Sequence, residues 1–261
     1  MSKRHLITFK RVRIAILLVI LVVVAGGTYY QTNAMSNWSR PLKLTIYPIN
    51  GPDTDEVAEY IDGLRVENFA GITRFLDEEA DAFEVSTSPL VNITLGPEIL
   101  ALPPAPPPRP AGVFAIGRWS LVLRYWLYKN LSSFGLETRH IRIFVIYHGN
   151  DNNKPLKHSF GLQKGLVGVV NAFAVPDQNA QNNIIITHEL LHTLGASDKY
   201  DRNGNPRFPE GYGDPQQNPR YPQELAEIMA GRIALSENEA LIPVSLDLVV
   251  IGEQTAQEIN W

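Results

Sequence analysis

Residues 184–198 read Ile-Ile-Ile-Thr-His-Glu-Leu-Leu-His-Thr-Leu-Gly-Ala-Ser-Asp (IIITHELLHTLGASD), and the rest of the chain is best read outward from them. Three isoleucines followed by Leu190, Leu191 and Leu194 predict a buried helix, with Asp177 placed after Pro176 to cap its start and Gly195 placed to end it. On such a helix His188 and His192 stand four residues apart, so both imidazoles project from one face, a turn apart. That spacing suits two nitrogen ligands on one zinc ion, with Glu189 close enough to act on water there without ligating the metal.

The chemistry explains why these residue types belong together. Zinc acidifies water and polarises a carbonyl, while a carboxylate must take the water's proton and pass it to a leaving amine. Neutral histidines leave the ion its Lewis acidity, and an open coordination position requires that the protein add only one further ligand. The chain has no cysteine, so disulfides, thiol nucleophiles and Cys-type zinc sites are excluded and any metal must rest on His, Asp or Glu.

Extended to residue 198, the stretch fits the pattern HExxHxxGxx(H or D) and resembles the metzincin zinc endopeptidases. The resemblance implies that the glycine turns the chain so that a third ligand folds back onto the metal. Asp198 holds that position, as in the aspartate variant of snapalysin-like metzincins, and a carboxylate oxygen is an acceptable zinc ligand. It also implies a methionine in a turn beneath the zinc, which Met229 in Glu-Ile-Met-Ala-Gly (227–231) is placed to supply. No tyrosine directly follows Met229, so the oxyanion stabiliser is unassigned, with Tyr200 and Tyr212 as candidates. The likeness is specific only over residues 184–231.

Rival readings of the third ligand are Glu210, Glu224 or Glu227, as in gluzincins, or an Asp198 that merely caps a turn with Asp201. The loop over residues 199–224 is rich in Asp, Asn, Gly and Pro and long for a structureless connection. Within it Asp201, Asn203 and Asn205 alternate like calcium ligands, although Gly204 intervenes and no terminal glutamate follows.

Upstream, residues 42–49 (LKLTIYPI), 90–95 (LVNITL), 140–148 (HIRIFVIYH) and 165–174 (GLVGVVNAFA) read as strands. Helical spacing recurs in Val57, Tyr60, Ile61 and Leu64, in Phe69, Ile72 and Leu76, and over residues 119–131, whose aromatics are expected in the core. The acidic run Asp77, Glu78, Glu79, Asp81 reads as a solvated helix end, and residues 102–110 (LPPAPPPRP) as an extended loop. His140, His148 and His158 have no partner at ligand spacing and read as ordinary strand-end or loop histidines. The element order predicts an α/β (α+β) domain with a mixed twisted sheet. The resemblance implies a metzincin-like zincin domain, with the active-site helix under the sheet and a substrate strand beside residues 165–174.

Residues 14–30 carry no charge and span roughly 25 Å as a helix, slightly short of a bilayer core of about 30 Å. Lys3, Arg4, Lys10, Arg11 and Arg13 precede them, predicting a cytoplasmic tail (1–13), a signal anchor (14–30), a linker (31–40) and an extracytoplasmic, periplasmic or extracellular, domain (41–261). A cleaved signal peptide ending near 25 or 34 is the competing reading, and it would leave the domain secreted. Without those five cations the formal charge of −4 becomes −9, and an acidic body argues against nucleic acid. The expected partners are a peptide or protein substrate and a membrane. The Asn-x-Ser/Thr sites at Asn37, Asn92 and Asn130 matter only in a glycosylating pathway. The competing functions are a non-catalytic zinc-stabilised binding module of the cell envelope and an interaction domain in which the motif is accidental.

Overall fold

A computed structural model describes residues 9–35, 37–108, 110–131, 139–149 and 156–261. After helix α1 (Phe9–Met35), the chain forms strand β1 (Leu42–Asn50), helices α2 (Asp55–Gly63) and α3 (Ala70–Ala82), and strand β2 (Val91–Leu95). Helix α4 (Val113–Asn130), strands β3 (His140–His148), β4 (Phe160–Leu162) and β5 (Val167–Phe173), and helices α5 (Asn179–Leu194) and α6 (Glu253–Glu258) follow.

One five-stranded sheet runs in the order β2-β1-β3-β5-β4, parallel except for β4, which pairs antiparallel with β5. The protein is therefore a mixed α/β fold on a mixed sheet. Strand β3 is apolar on both sides because both faces are covered. Ile141, Ile143, Val145 and Tyr147 pack with residues of α2, α3 and α5. The alternate residues Phe144 and Ile146 pack with Leu123 and Leu127 of α4. Helix α5 thus lies on one face of the sheet and α4 on the other.

The expected edge for a substrate strand moves. Residues 165–174 contribute β5, but Gly165 and Leu166 turn with positive φ, and the outer side of β5 is paired with β4. Strand β4, three residues built around Gly161, is the edge beside α5. A Cβ on Gly161 would meet the Glu189 carbonyl oxygen and lie 2.6 Å from the His192 Cβ, so the strand approaches the helix as only glycine allows.

Other expectations shift by local chemistry. Asp177 does not cap α5: Pro176–Gln178 forms a separate 3-10 turn, and the helix opens at Asn179 without a side-chain cap. Its first turn is tied down instead by Asn182, whose amide accepts from the Phe173 N–H (3.3 Å) and donates to the Phe173 carbonyl (2.9 Å). Helix α4 starts at Val113, six residues before Trp119, as soon as the proline run has ended. Its aromatics divide: Trp119 and Trp126 pack inward, whereas Tyr125 and Tyr128 are exposed. The acidic run on α3 is not merely solvated. Asp77 accepts from the Leu90 N–H at 2.8 Å and the Ser88 hydroxyl at 2.9 Å, and Glu79 accepts from the Ile251 N–H.

Helix α1 carries the backbone of residues 14–30, and its described apolar side chains, among them Leu17 and Leu21, are exposed. Among the described residues no helix is long and apolar enough to cross a membrane. Residues 1–8 of the basic tail, and several side chains of the 14–30 run, lie outside the described residues.

Candidate metal centre

His188 and His192 stand on the same face of α5 with ring centroids 4.7 Å apart. Each is oriented from behind: His188 Nδ1 lies 2.9 Å from the Ile228 carbonyl oxygen and His192 Nδ1 lies 2.8 Å from that of Ala196. A carbonyl oxygen only accepts, so each Nδ1 carries the proton, and each neutral ring presents the Nε2 lone pair to the cleft.

Gly195 ends the helix with φ +116°, a left-handed conformation that any side chain would strain, and the Gly195 and Ala196 amides close back on the Leu191 carbonyl. The reversal carries Asp198 over the histidines. Its Oδ1 lies 3.3 Å from His188 Nε2 and 3.0 Å from His192 Nε2. Two ligands at about 2.0–2.1 Å in tetrahedral array stand roughly 3.3 Å apart, so the spacing is compatible with atoms sharing one ion. Oδ1 is buried and has no hydrogen-bond donor, and these three residues are the one group of metal-ligating side chains found among the described residues. Three acceptors facing one another in a half-buried cleft repel unless a cation lies between them. With protons alone, burial depresses His188, yet the Asp198 carboxylate and the charge of Glu189 outweigh it and raise its pKa. Burial pushes Asp198 up, and the two histidines more than reverse this, holding it well below the carboxylate range. The donor set therefore fits zinc: two neutral imidazoles and one carboxylate, leaving a position open.

Glu189 is 5% exposed, and its Oε2 is buried without a partner. Burial raises its pKa, although both histidines pull the other way. A buried carboxylate with a raised pKa beside the candidate ligands suits proton transfer more than a structural role.

The turn at residues 227–231 lies behind the histidines. Met229 is fully buried, its carbonyl accepts from the Lys199 N–H at 3.0 Å, and Ile228 supplies the contact to His188. Glu227, weighed above as a third ligand, holds this turn instead. Its carboxylate accepts from the N–H groups of Met229 (2.6 Å) and Ala230 (2.9 Å) and from the Thr255 hydroxyl (2.6 Å). Glu210 and Glu224 are exposed and do not join the group, and Asp198 faces the histidines rather than capping a turn. Asp201 caps its own turn, accepting from the Asn203 and Asn205 N–H groups, as expected of an Asx turn more than of a calcium loop.

The Tyr200 ring is 6.5 Å from that of His188. Tyr212 instead pairs its hydroxyl with that of Tyr221 at 2.5 Å, and burial with that pairing pushes it up to about 12. Of the other histidines, His140 contacts the Thr45 hydroxyl and His148 the Asn171 amide, as strand-end residues do.

Sequence reasoning missed the clamp on Asp198, for which no motif spacing exists. Glu258 of α6 accepts from the Ser197 N–H (2.8 Å), the Ser197 hydroxyl (2.8 Å) and the buried Lys199 ammonium (2.7 Å), gripping the residues on either side of Asp198. Removing it with Glu258→Ala is expected to weaken zinc binding by about 10- to 100-fold in chelator competition. In an Asp198→Ala background the same change should have no effect on affinity, which a general loss of stability would not reproduce. Burial works to raise the Glu258 pKa, but Lys199 and Ser197 outweigh it and hold it below its ordinary value. Its stabilising effect is therefore complete above the unfolded carboxylate value of about 4.3 and fades as pH falls through the lower folded value. The melting-temperature gap between wild type and Glu258→Gln should narrow on acidification in that window.

Compared with known protein families and with curated proteins, the chain gives no match.

Proposed function

We propose that this protein is a zinc endopeptidase of metzincin type. The carrying observation is the convergence of His188 Nε2, His192 Nε2 and Asp198 Oδ1 with no proton donor among them, each histidine held from behind by a backbone carbonyl. The expectation of a signal anchor at residues 14–30, with residues 41–261 outside the cytoplasm, rests on the basic-then-apolar pattern of the sequence.

His188, His192 and Asp198 would hold the ion. When bound, zinc supplies Lewis acidity toward the scissile carbonyl and makes water easier to deprotonate. Glu189 takes the proton of the attacking water and returns it to the leaving amine, which requires a carboxylate whose two protonation states are close in energy. The outer edge of β4 offers an extended peptide main-chain hydrogen bonds beside the α5 residues that carry this chemistry.

Chelation should abolish cleavage of a broad peptide library by the full chain, and stoichiometric zinc should restore it. A chain that binds one zinc tightly but cleaves nothing in the library is the non-catalytic module of the cell envelope. The unpartnered, buried Glu189 carboxylate favours catalysis over that reading.

A further inference from the structure

Helix α4 presents an unusual outer face. Phe114, Arg118, Leu121, Tyr125 and Tyr128 recur at intervals of three and four residues, opposite the inward-facing Leu123 and Leu127, and so form one stripe. The apolar and aromatic members are open to solvent: Phe114 is 96% exposed, Leu121 70%, Tyr125 68% and Tyr128 74%. A monomeric soluble domain rarely leaves such a stripe uncovered. The helix bears three cations, Arg118, Arg124 and Lys129, all exposed, and no acidic residue, on a protein that is otherwise acidic.

We propose that this face docks on an anionic lipid bilayer, laying α4 in the headgroup region and the sheet over it. Aromatic and aliphatic side chains flanked by lysine and arginine are the composition of an interfacial helix. The charges decide against a second copy, because pairing two such stripes would bring cations together with no acidic residue on the helix to offset them. Anionic headgroups supply the complementary charge.

Geometry permits the arrangement. Residues 38–40 turn beside the sheet, with Trp38 buried and its indole N–H donating to the Ile259 carbonyl at 2.9 Å, so the anchor meets the domain at the start of β1. Arg139, at the start of β3, donates to the Asn37 carbonyl and the Arg40 carbonyl at 2.8 Å each, fixing the tether to the sheet. Because α5 lies on the opposite face of the sheet, the candidate centre then faces away from the bilayer. The substrates of the proposed peptidase are accordingly peptides or unfolded segments in the aqueous phase, not chains embedded in lipid. This orientation rests on the membrane-anchor reading.

The chain contains no cysteine, so single cysteines at Leu121→Cys and, on the opposite face, Asp62→Cys can each carry an environment-sensitive dye on the full-length protein. The proteins are reconstituted with phosphatidylcholine vesicles, with or without one-third phosphatidylglycerol by rough proportion, and with doxyl-labelled lipid as quencher. Dye at 121 should be quenched several-fold more than dye at 62 in the anionic vesicles. Arg118→Glu, Arg124→Glu and Lys129→Glu together should remove the difference while folding, checked by circular dichroism, persists. Equal quenching at both positions in a chain that floats with neutral vesicles overturns the docking and leaves the anchor standing. Failure to float with any vesicle overturns both. Concentration-dependent cross-linking through position 121 without lipid quenching assigns the stripe to self-association and also overturns the docking.

Discussion

Glu189→Gln is expected to lower kcat on a cleavable peptide by about 10²- to 10⁴-fold while one zinc ion per chain is retained and KM hardly moves. The glutamine keeps the shape of the side chain and leaves His188, His192 and Asp198 in place, so only proton transfer is lost. The folded protein should not suffer. Burial raises the Glu189 pKa, so its stabilising contribution is present below the unfolded value and is lost as pH rises through the folded one. At neutral pH the buried charge is a liability in the metal-free chain, and the neutral amide should match or exceed the wild-type melting temperature there. Activity that collapses while stability holds or rises is the signature of a group kept for chemistry. Unchanged turnover in Glu189→Gln would remove it from the mechanism.

Asp198→Ala should cost at least about 100-fold in zinc affinity, more than a supporting residue would, because it removes a ligand and not a support. The rival roles predict otherwise. If Asp198 merely closed a turn, chelator competition would leave affinity near the wild-type value, with only the melting temperature reduced. Asp198→His should recover much of the binding, because an imidazole nitrogen at the same turn is an equivalent zinc ligand. Recovery by histidine but not by asparagine separates ligation from turn chemistry, since asparagine supports a turn as well as aspartate does.

The helix of the candidate centre and the convergence of His188, His192 and Asp198 were legible because their rules are local. Residues at intervals of four share a face, and Gly195 with φ +116° turns the chain where the spacing to Asp198 demands it. The parallel strands announced themselves as apolar runs because both faces of β3 and β5 are buried. Strand β4 could not be seen in the same way. Its three residues are too few for a period, and its reason for existing is the approach of Gly161 to α5, a contact across 28 positions of sequence. Glu258 was equally silent, acting on Ser197 and Lys199 from the far end of the chain. The aromatics of residues 119–131 were expected in the core, but the sheet covers only one side of α4, so Trp119 and Trp126 pack inward while Tyr125 and Tyr128 stay exposed.

The most direct test of the account is X-ray absorption at the zinc edge on full-length protein loaded with one equivalent of the metal. Two imidazole nitrogens and two light oxygen scatterers at about 2.0–2.1 Å are predicted, one oxygen from Asp198 and one from solvent. The solvent oxygen should remain in Glu189→Gln. Failure to retain zinc at one per chain, or a shell filled by four protein ligands with no solvent position, would contradict it.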